Sequence, residues 1–274
     1  MLKLMYITNN PDVAKIADES GVDRVWVDLE SKGKELRQPK ILNTVLSQHS
    51  ISDIPKVKSV LKNAKLIVRV NKIDNESENE INQVIEAGAD IIMLPYFKSI
   101  DEVKKFLKYV DGRCVTNLLV ETKEAVELLD DILKLPGVDE IHIGLNDLHL
   151  EMKMKFMFEL LCNGIVEKIC KKIHKYNKPY GFGGIARIGE GTLPSEAIIA
   201  EHYRLGSSCA ILSRSFCNTS IITDLDKIRE MFTTGVNAIR NYEKSLLDKN
   251  EEFYFNNQIF IKNKVKEIVN NLNN

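Results

Sequence analysis

Short apolar runs alternate along this chain with longer stretches in which apolar positions recur every three or four residues. The first kind suits strands buried on both faces, the second amphipathic helices lying over them. Residues 2–8 predict a strand and 11–19 a helix closed by Gly21. DRVWVDLES follows, and its alternation sends Trp26, Asp28 and Glu30 to one face and Val25, Val27 and Leu29 to the other. Residues 31–50 are polar and lysine-rich and read as a loop with a helical portion around 41–46, suited to a mobile cover. A helix after Pro55 leads to the strand KLIVRVN at 65–71, a helix at 78–87 ends at Gly88, and ADIIMLPYF at 89–97 is a nearly continuous apolar strand closed by Pro95. Residues 100–110 predict a helix and 114–120 a strand.

The stretch 117–149 organises the rest. Two apolar runs there each stop at an acid, Glu121 after LLV and Asp147 after IHIGLN, with a helix pattern and a Pro136-Gly137 break between them. Beyond it the pattern predicts a helix at 156–176, a strand at 179–184, a helix at 195–205, a last strand at 208–213 and a long closing helix at 224–247. Strands alternating with helices point to an α/β chain with a parallel sheet. A length of 274 residues lies close to the roughly 250 of a (β/α)₈ TIM barrel. An open doubly wound sheet is the alternative, but its glycine fingerprint is missing after the first strand. Residues 1–248 then form one barrel domain, and 249–274 an extra C-terminal helical arm. In the arm Phe253, Tyr254, Phe255, Ile259, Phe260 and Ile261 follow a charged joint, DKNEE. It packs on its own barrel or on a neighbour, and a homo-oligomer held partly by this arm is the expectation.

Charge narrows the function. Lys and Arg number 38 and Asp and Glu 39, which argues against a nucleic-acid partner or a polybasic membrane surface. No apolar stretch is long enough to span a bilayer. The five cysteines form no C-x-x-C pair, which suits reduced core thiols in a cytoplasmic protein.

Parallel strands joined by a crossover bring their C-terminal ends to one edge, so Glu121 and Asp147 converge despite their separation. Two such carboxylates suit Mg²⁺ or Mn²⁺, with the remaining ligands from water and substrate. Taken singly, Glu121 reads equally well as an acid in the first turn of a helix. Arg69 ends an apolar strand, where a guanidinium needs a carboxylate, a phosphate or a substrate carboxyl. Asp28 and Glu30 repel each other unless a cation, an arginine or a shared proton intervenes. GFGGIARIGEG carries Arg187 and the last strand delivers Arg214, on the two loops that often bind phosphate in barrels; a tight turn and a surface ion pair explain them equally well.

DLE at 28–30, VRVN at 68–71, EAGADIIMLP at 86–95, VETKEAV at 120–126 and PGVDEIHIGLNDL at 136–148 resemble, in order and spacing, the motifs of the HpcH/HpaI aldolase and citrate lyase β-chain family. The resemblance covers roughly half of the chain. It implies a phosphoenolpyruvate/pyruvate-type TIM barrel that makes or breaks a carbon–carbon bond through the enolate of a 2-oxo acid, with a divalent metal. By the match, Glu121 and Asp147 are metal ligands and Arg69 steadies the carbonyl and enolate oxygens. The backbone of Gly144, Leu145, Asn146 and Asp147 would hold the substrate carboxylate. Ser31 stands where the aldolase branch has a histidine and the citrate lyase branch often a second acid, so the proton-transfer group is unassigned and His149 is a candidate beside Asp28 and Glu30. The alternative function is a barrel that has kept the fold and serves as a binding or assembly subunit.

Overall fold

Eight strands, all parallel, close on themselves in sequence order, with β8 returning to pair with β1. They are β1 (Lys3–Ile7), β2 (Arg24–Asp28), β3 (Lys65–Arg69), β4 (Ile91–Leu94), β5 (Val115–Val120), β6 (Glu140–Ile143), β7 (Tyr180–Ile185) and β8 (Cys209–Leu212). The computed structural model describes residues 1–32 and 49–272; the helical portion expected at 41–46 lies outside the described residues. The chain is a TIM barrel with a helical C-terminal region.

Alternation along each strand divides the side chains. Val25 and Val27 join the large outer core between barrel and helices. Met5, Trp26, Ile67, Ile91, Met93, Leu119 and Cys209 form a separate cluster. Interior side chains filling the barrel are what make it a packed core rather than a pore.

The helices carry local instructions for their own ends. On α1 (Pro11–Glu19) Asn10 caps the N-terminus, accepting from the backbone of Asp12 and Val13, and Pro11 takes the first turn, where no donor is needed. The next helices are α2 (Asp53–Lys58), α3 (Ser77–Glu86) and α4 (Ile100–Val110). Ser99 and Glu102 form a reciprocal capping box on α4, whose Val103, Phe106 and Val110 are buried. Burying Phe106 contributes about 1.5–3 kcal/mol, so this face rather than propensity holds the helix.

Two expected helices are broken. Between β5 and β6 the chain forms α5 (Lys123–Glu127) and α6 (Leu129–Ile132), separated at Leu128. α7 (Leu145–Glu151) follows β6 directly. The helix expected at 156–176 becomes α8 (Glu159–Cys162) and α9 (Ile165–His174), because Gly164 takes a left-handed φ of 80° between them.

α10 (Ser195–Arg204) precedes β8, and α11 (Leu225–Leu246) packs against α1. Arg240 of α11 reaches the Leu2 carbonyl at 2.7 Å and Asp23 at 2.8 Å, securing the start of β1. α12 (Glu251–Asn271) lies on α10 and α8, burying Ile261 and Val265. Asn257 of this helix donates to the Ala197 carbonyl at 3.0 Å, while Phe255, Ile259 and Phe260 face outward. No helix of the described residues is long and apolar enough to cross a membrane.

Candidate active site

A cavity of about 210 Å³ opens at the C-terminal mouth of the barrel, and Trp26, Arg69, Glu121, His142, Gly144 and Asp147 are among its walls. This is the face on which barrel active sites are built. Glu121 is 3% exposed and Asp147 7%.

Glu121 follows the last residue of β5, and its Oε1 accepts from the backbone N–H of Tyr96 at 2.9 Å. Tyr96 takes φ 47°, a left-handed conformation that a ring-bearing residue seldom adopts, and this aims its amide at the carboxylate. Its hydroxyl donates to Glu151 of α7 at 2.6 Å. Tyr96 thus ties the tip of β5 to the helix that carries Asp147. Gly144 is fixed by the same crowding: a Cβ there would stand 2.7 Å from Glu121 Oε2 and 2.8 Å from Glu121 Cβ. Only glycine lets β6 pass this close to the carboxylate. No side chain caps α7 at Gly144, and Asp147 sits in its first turn.

Register aligns Arg69 with Asp28. Arg69 Nε and Nη2 each donate to Asp28 at 2.8 Å, a bidentate pair, and Nη1 lies 3.3 Å from Glu30. The guanidinium also rests over the Trp26 ring, 5.2 Å from its centroid. Burial works to lower the Arg69 pKa, but the charges of Asp28 and Glu30 and the bonds to Asp28 outweigh it and raise it. Arg69 therefore stays charged. The Asp28 amide donates to His49 Nδ1 at 2.8 Å.

The expected site residues divide by place. Arg69, Glu121, Gly144, Leu145, Asn146 and Asp147 share the cavity. Asp28 and Glu30 stand behind Arg69 and reach the cavity through it. His149 is buried on α7 with Nδ1 3.2 Å from the Leu145 carbonyl, and it is not among the cavity walls. Arg187 pairs with Glu190 at 2.9 Å, and Arg187 and Arg214 also stand outside the walls. Ser31 offers its amide to Asn71 Oδ1 at 3.0 Å.

Sequence reading passed over His142 and Tyr96 and gave Trp26 a face without a role. The signal for His142 was parity: on β6 it stands two residues after Glu140, so both side chains point into the barrel.

The donor set fits a hard divalent cation. Two buried carboxylates face one cavity, and buried charges pair or coordinate metals. Among the described residues no group of three or more His, Cys, Asp and Glu forms a complete cage. Such a cation would therefore draw further ligands from water and substrate.

Comparison with known proteins bears on the same elements. The family model described as HpcH/HpaI aldolase/citrate lyase matches residues 3–160, a span that includes Arg69, Glu121, Gly144 and Asp147. No curated protein matches the chain. Among solved structures, an HpcH/HpaI aldolase from Desulfitobacterium hafniense DCB-2 is similar at 18% identity and TM-score 0.63, over 84% of this chain and 93% of that one. Macrophomate synthase is similar at 16% identity and TM-score 0.59, over 84% of each chain. A citrate synthase variant is similar at 16% identity and TM-score 0.57, over 83% of this chain and 93% of that one. At these identities the structures speak for the fold, whereas the family match speaks for descent and for a lyase-type enzyme: the chain belongs to the HpcH/HpaI aldolase/citrate lyase family.

Proposed function

We propose that this enzyme makes or breaks a carbon–carbon bond through the enolate of a 2-oxo acid, with Mg²⁺ or Mn²⁺ held by Glu121 and Asp147. The observation that carries the reading is the convergence of those two carboxylates and Arg69 on one small cavity. When bound, the cation would supply Lewis-acid polarisation of the substrate carbonyl.

The chain's own groups account for the rest. Arg69, locked by Asp28 and Glu30, presents fixed positive charge where the enolate oxygen develops, and a prepositioned donor needs no reorganisation during the reaction. Asp28 and Glu30 act by holding Arg69. The backbone N–H groups from Gly144 to Asp147, with the positive end of α7 behind them, would receive the substrate carboxylate. A part for His149 in proton transfer runs through Nε2, because Nδ1 is engaged by Leu145. At roughly 30 Å³ per water-sized volume, the 210 Å³ cavity suits a pyruvate unit with a short partner. If that partner carries phosphate or a second carboxylate, Arg187 and Arg214 on the loops after β7 and β8 are the cations to meet it. We also place the enzyme in the cytoplasm as a homo-oligomer joined through the outer face of α12.

The test is exchange of the methyl protons of pyruvate in D₂O, followed by NMR. The reading predicts exchange with Mg²⁺ or Mn²⁺ that is lost in Arg69→Lys. No exchange by the parent with either metal would favour a binding or assembly role instead.

A further inference from the structure

The floor of the cavity carries two polar groups that no role has yet absorbed. Trp26 on β2 and His142 on β6 both line it, their rings edge to face with centroids 6.4 Å apart. Trp26 is 2% exposed and His142 3%, and neither Trp26 Nε1 nor His142 Nδ1 has a hydrogen-bond partner among the described residues. Trp26 packs in a cluster with Met5, Ile67, Met93 and Leu119, which offer no side-chain partner, and with Cys209. Burying a donor or acceptor without a partner is unfavourable, and such groups persist where a ligand supplies what the protein does not.

Three features describe the ligand group. First, there is room: the cavity of about 210 Å³ reaches both rings and has Gly183 and Gly184 of β7 on its wall, whereas the space at Gly181, in register with His142, is filled by Cys209. Second, His142 lines the cavity and leaves a ring nitrogen for a ligand, since its Nδ1 carries no hydrogen bond among the described residues. Burial, and then the charges of Arg24 and Arg69, hold its pKa down to about 3, so at neutral pH it is an uncharged ring with one donor and one acceptor. Third, the floor has no charge to spare. Arg24 is taken by Glu140 in a bidentate pair at 2.6 and 2.7 Å, and Arg69, held by Asp28 and Glu30, is assigned to the oxo-acid end of the substrate rather than to its far end. A charged group brought here would be desolvated without a counter-ion, whereas an uncharged oxygen could accept from Trp26 and bond to His142.

We propose that Trp26 and His142 form a polar subsite that binds an uncharged hydroxyl or carbonyl oxygen on the part of the substrate remote from its carboxylate. The subsite determines specificity and rests on the 2-oxo acid reading above. It sorts substrates by their far end: hydroxyl-bearing above apolar, and both above carboxylate.

The probes are oxalate, which occupies only the oxo-acid end, and three 2-oxo acids of equal chain length ending in a methyl, a hydroxymethyl or a carboxylate group. Their affinities are measured by calorimetry on full-length protein with Mn²⁺. The parent should bind the hydroxymethyl acid about tenfold more tightly than the methyl acid. His142→Phe should erase that preference while leaving oxalate affinity within about twofold. Trp26→Phe, which keeps the ring and removes the N–H, should reduce the preference and gives a second reading if the histidine variant misfolds. A preference unchanged in both variants, or a parent that favours the carboxylate acid, overturns the subsite alone. Failure of the parent to bind oxalate overturns the 2-oxo acid reading, and the subsite with it.

Discussion

The barrel interior holds two arginine–carboxylate pairs of the same chemistry at opposite ends. Arg24 and Glu140 sit at the N-terminal starts of β2 and β6, with side chains 5% and 12% exposed. Arg69 and Asp28 sit at the C-terminal ends of β3 and β2, with side chains 13% and 14% exposed. Both pairs are bidentate. The lower pair is closed in protein, with Asn117 donating to Glu140 at 3.3 Å. The upper pair fronts the cavity, with the Glu121 charge close enough to act on Arg69. The two pairs are buried to similar depth and differ in what each guanidinium faces: protein for Arg24, the cavity for Arg69.

The comparison can be broken at either end. The largest effect expected is on stability, from Arg24→Ala, which strands Glu140 in the interior and should cost about 3–5 kcal/mol in urea unfolding. Replacing both partners, Arg24→Met with Glu140→Leu, should recover most of that loss and leave turnover in place. A double variant that folds well yet is inactive would make the lower pair chemical too. At the upper end Arg69→Lys keeps the charge but loses the bidentate bond to Asp28, and should lower kcat about 10²–10³-fold, some 3–4 kcal/mol. Steady-state rates near the parental value would remove Arg69 from the chemistry.

Smaller effects sharpen the contrast. Burial holds the pKa values of both His142 and His202 down to about 3, so each is neutral in the fold and charges on unfolding below its ordinary value near 6.5. The unfolded chain binds more protons across that window, so stability from these groups is full above about pH 6.5 and is lost as pH falls toward 3. Urea midpoints measured from pH 7 to pH 4 should fall less steeply in His202→Phe than in the parent; parallel slopes would contradict this. Smallest of all, Tyr96→Phe removes the hydroxyl that bonds to Glu151 and should cost about 0.5–1.5 kcal/mol, with weaker metal binding as its functional trace.

Much of the fold was legible because the strands announce themselves as apolar runs: the first was expected at 2–8 and forms at Lys3–Ile7. The broken helices were less legible, since the apolar period continues across Gly164 and only its left-handed backbone shows the interruption. At the site, alternation put Trp26, Asp28 and Glu30 on one face without saying that it is the inner one, and strand-tip logic brought Glu121 and Asp147 to one cavity. Partner choice was the illegible part. Nothing local pairs Arg24 with Glu140, which are 116 residues apart. Nor does the sequence show that the Leu145 carbonyl, one helical turn back, meets His149 Nδ1, which leaves Nε2, or that Arg187 meets Glu190 three residues on.

The claim that the barrel mouth is a metal-dependent enolate site turns on Glu121. Glu121→Gln preserves the shape of the side chain and an oxygen for the Tyr96 amide while removing the charge. Calorimetric titration of Mn²⁺ in the presence of oxalate is the direct measurement. The account predicts binding by the parent and a loss of at least about 100-fold in affinity for the variant, with the fold retained by circular dichroism. Equal affinities in the two proteins would contradict it.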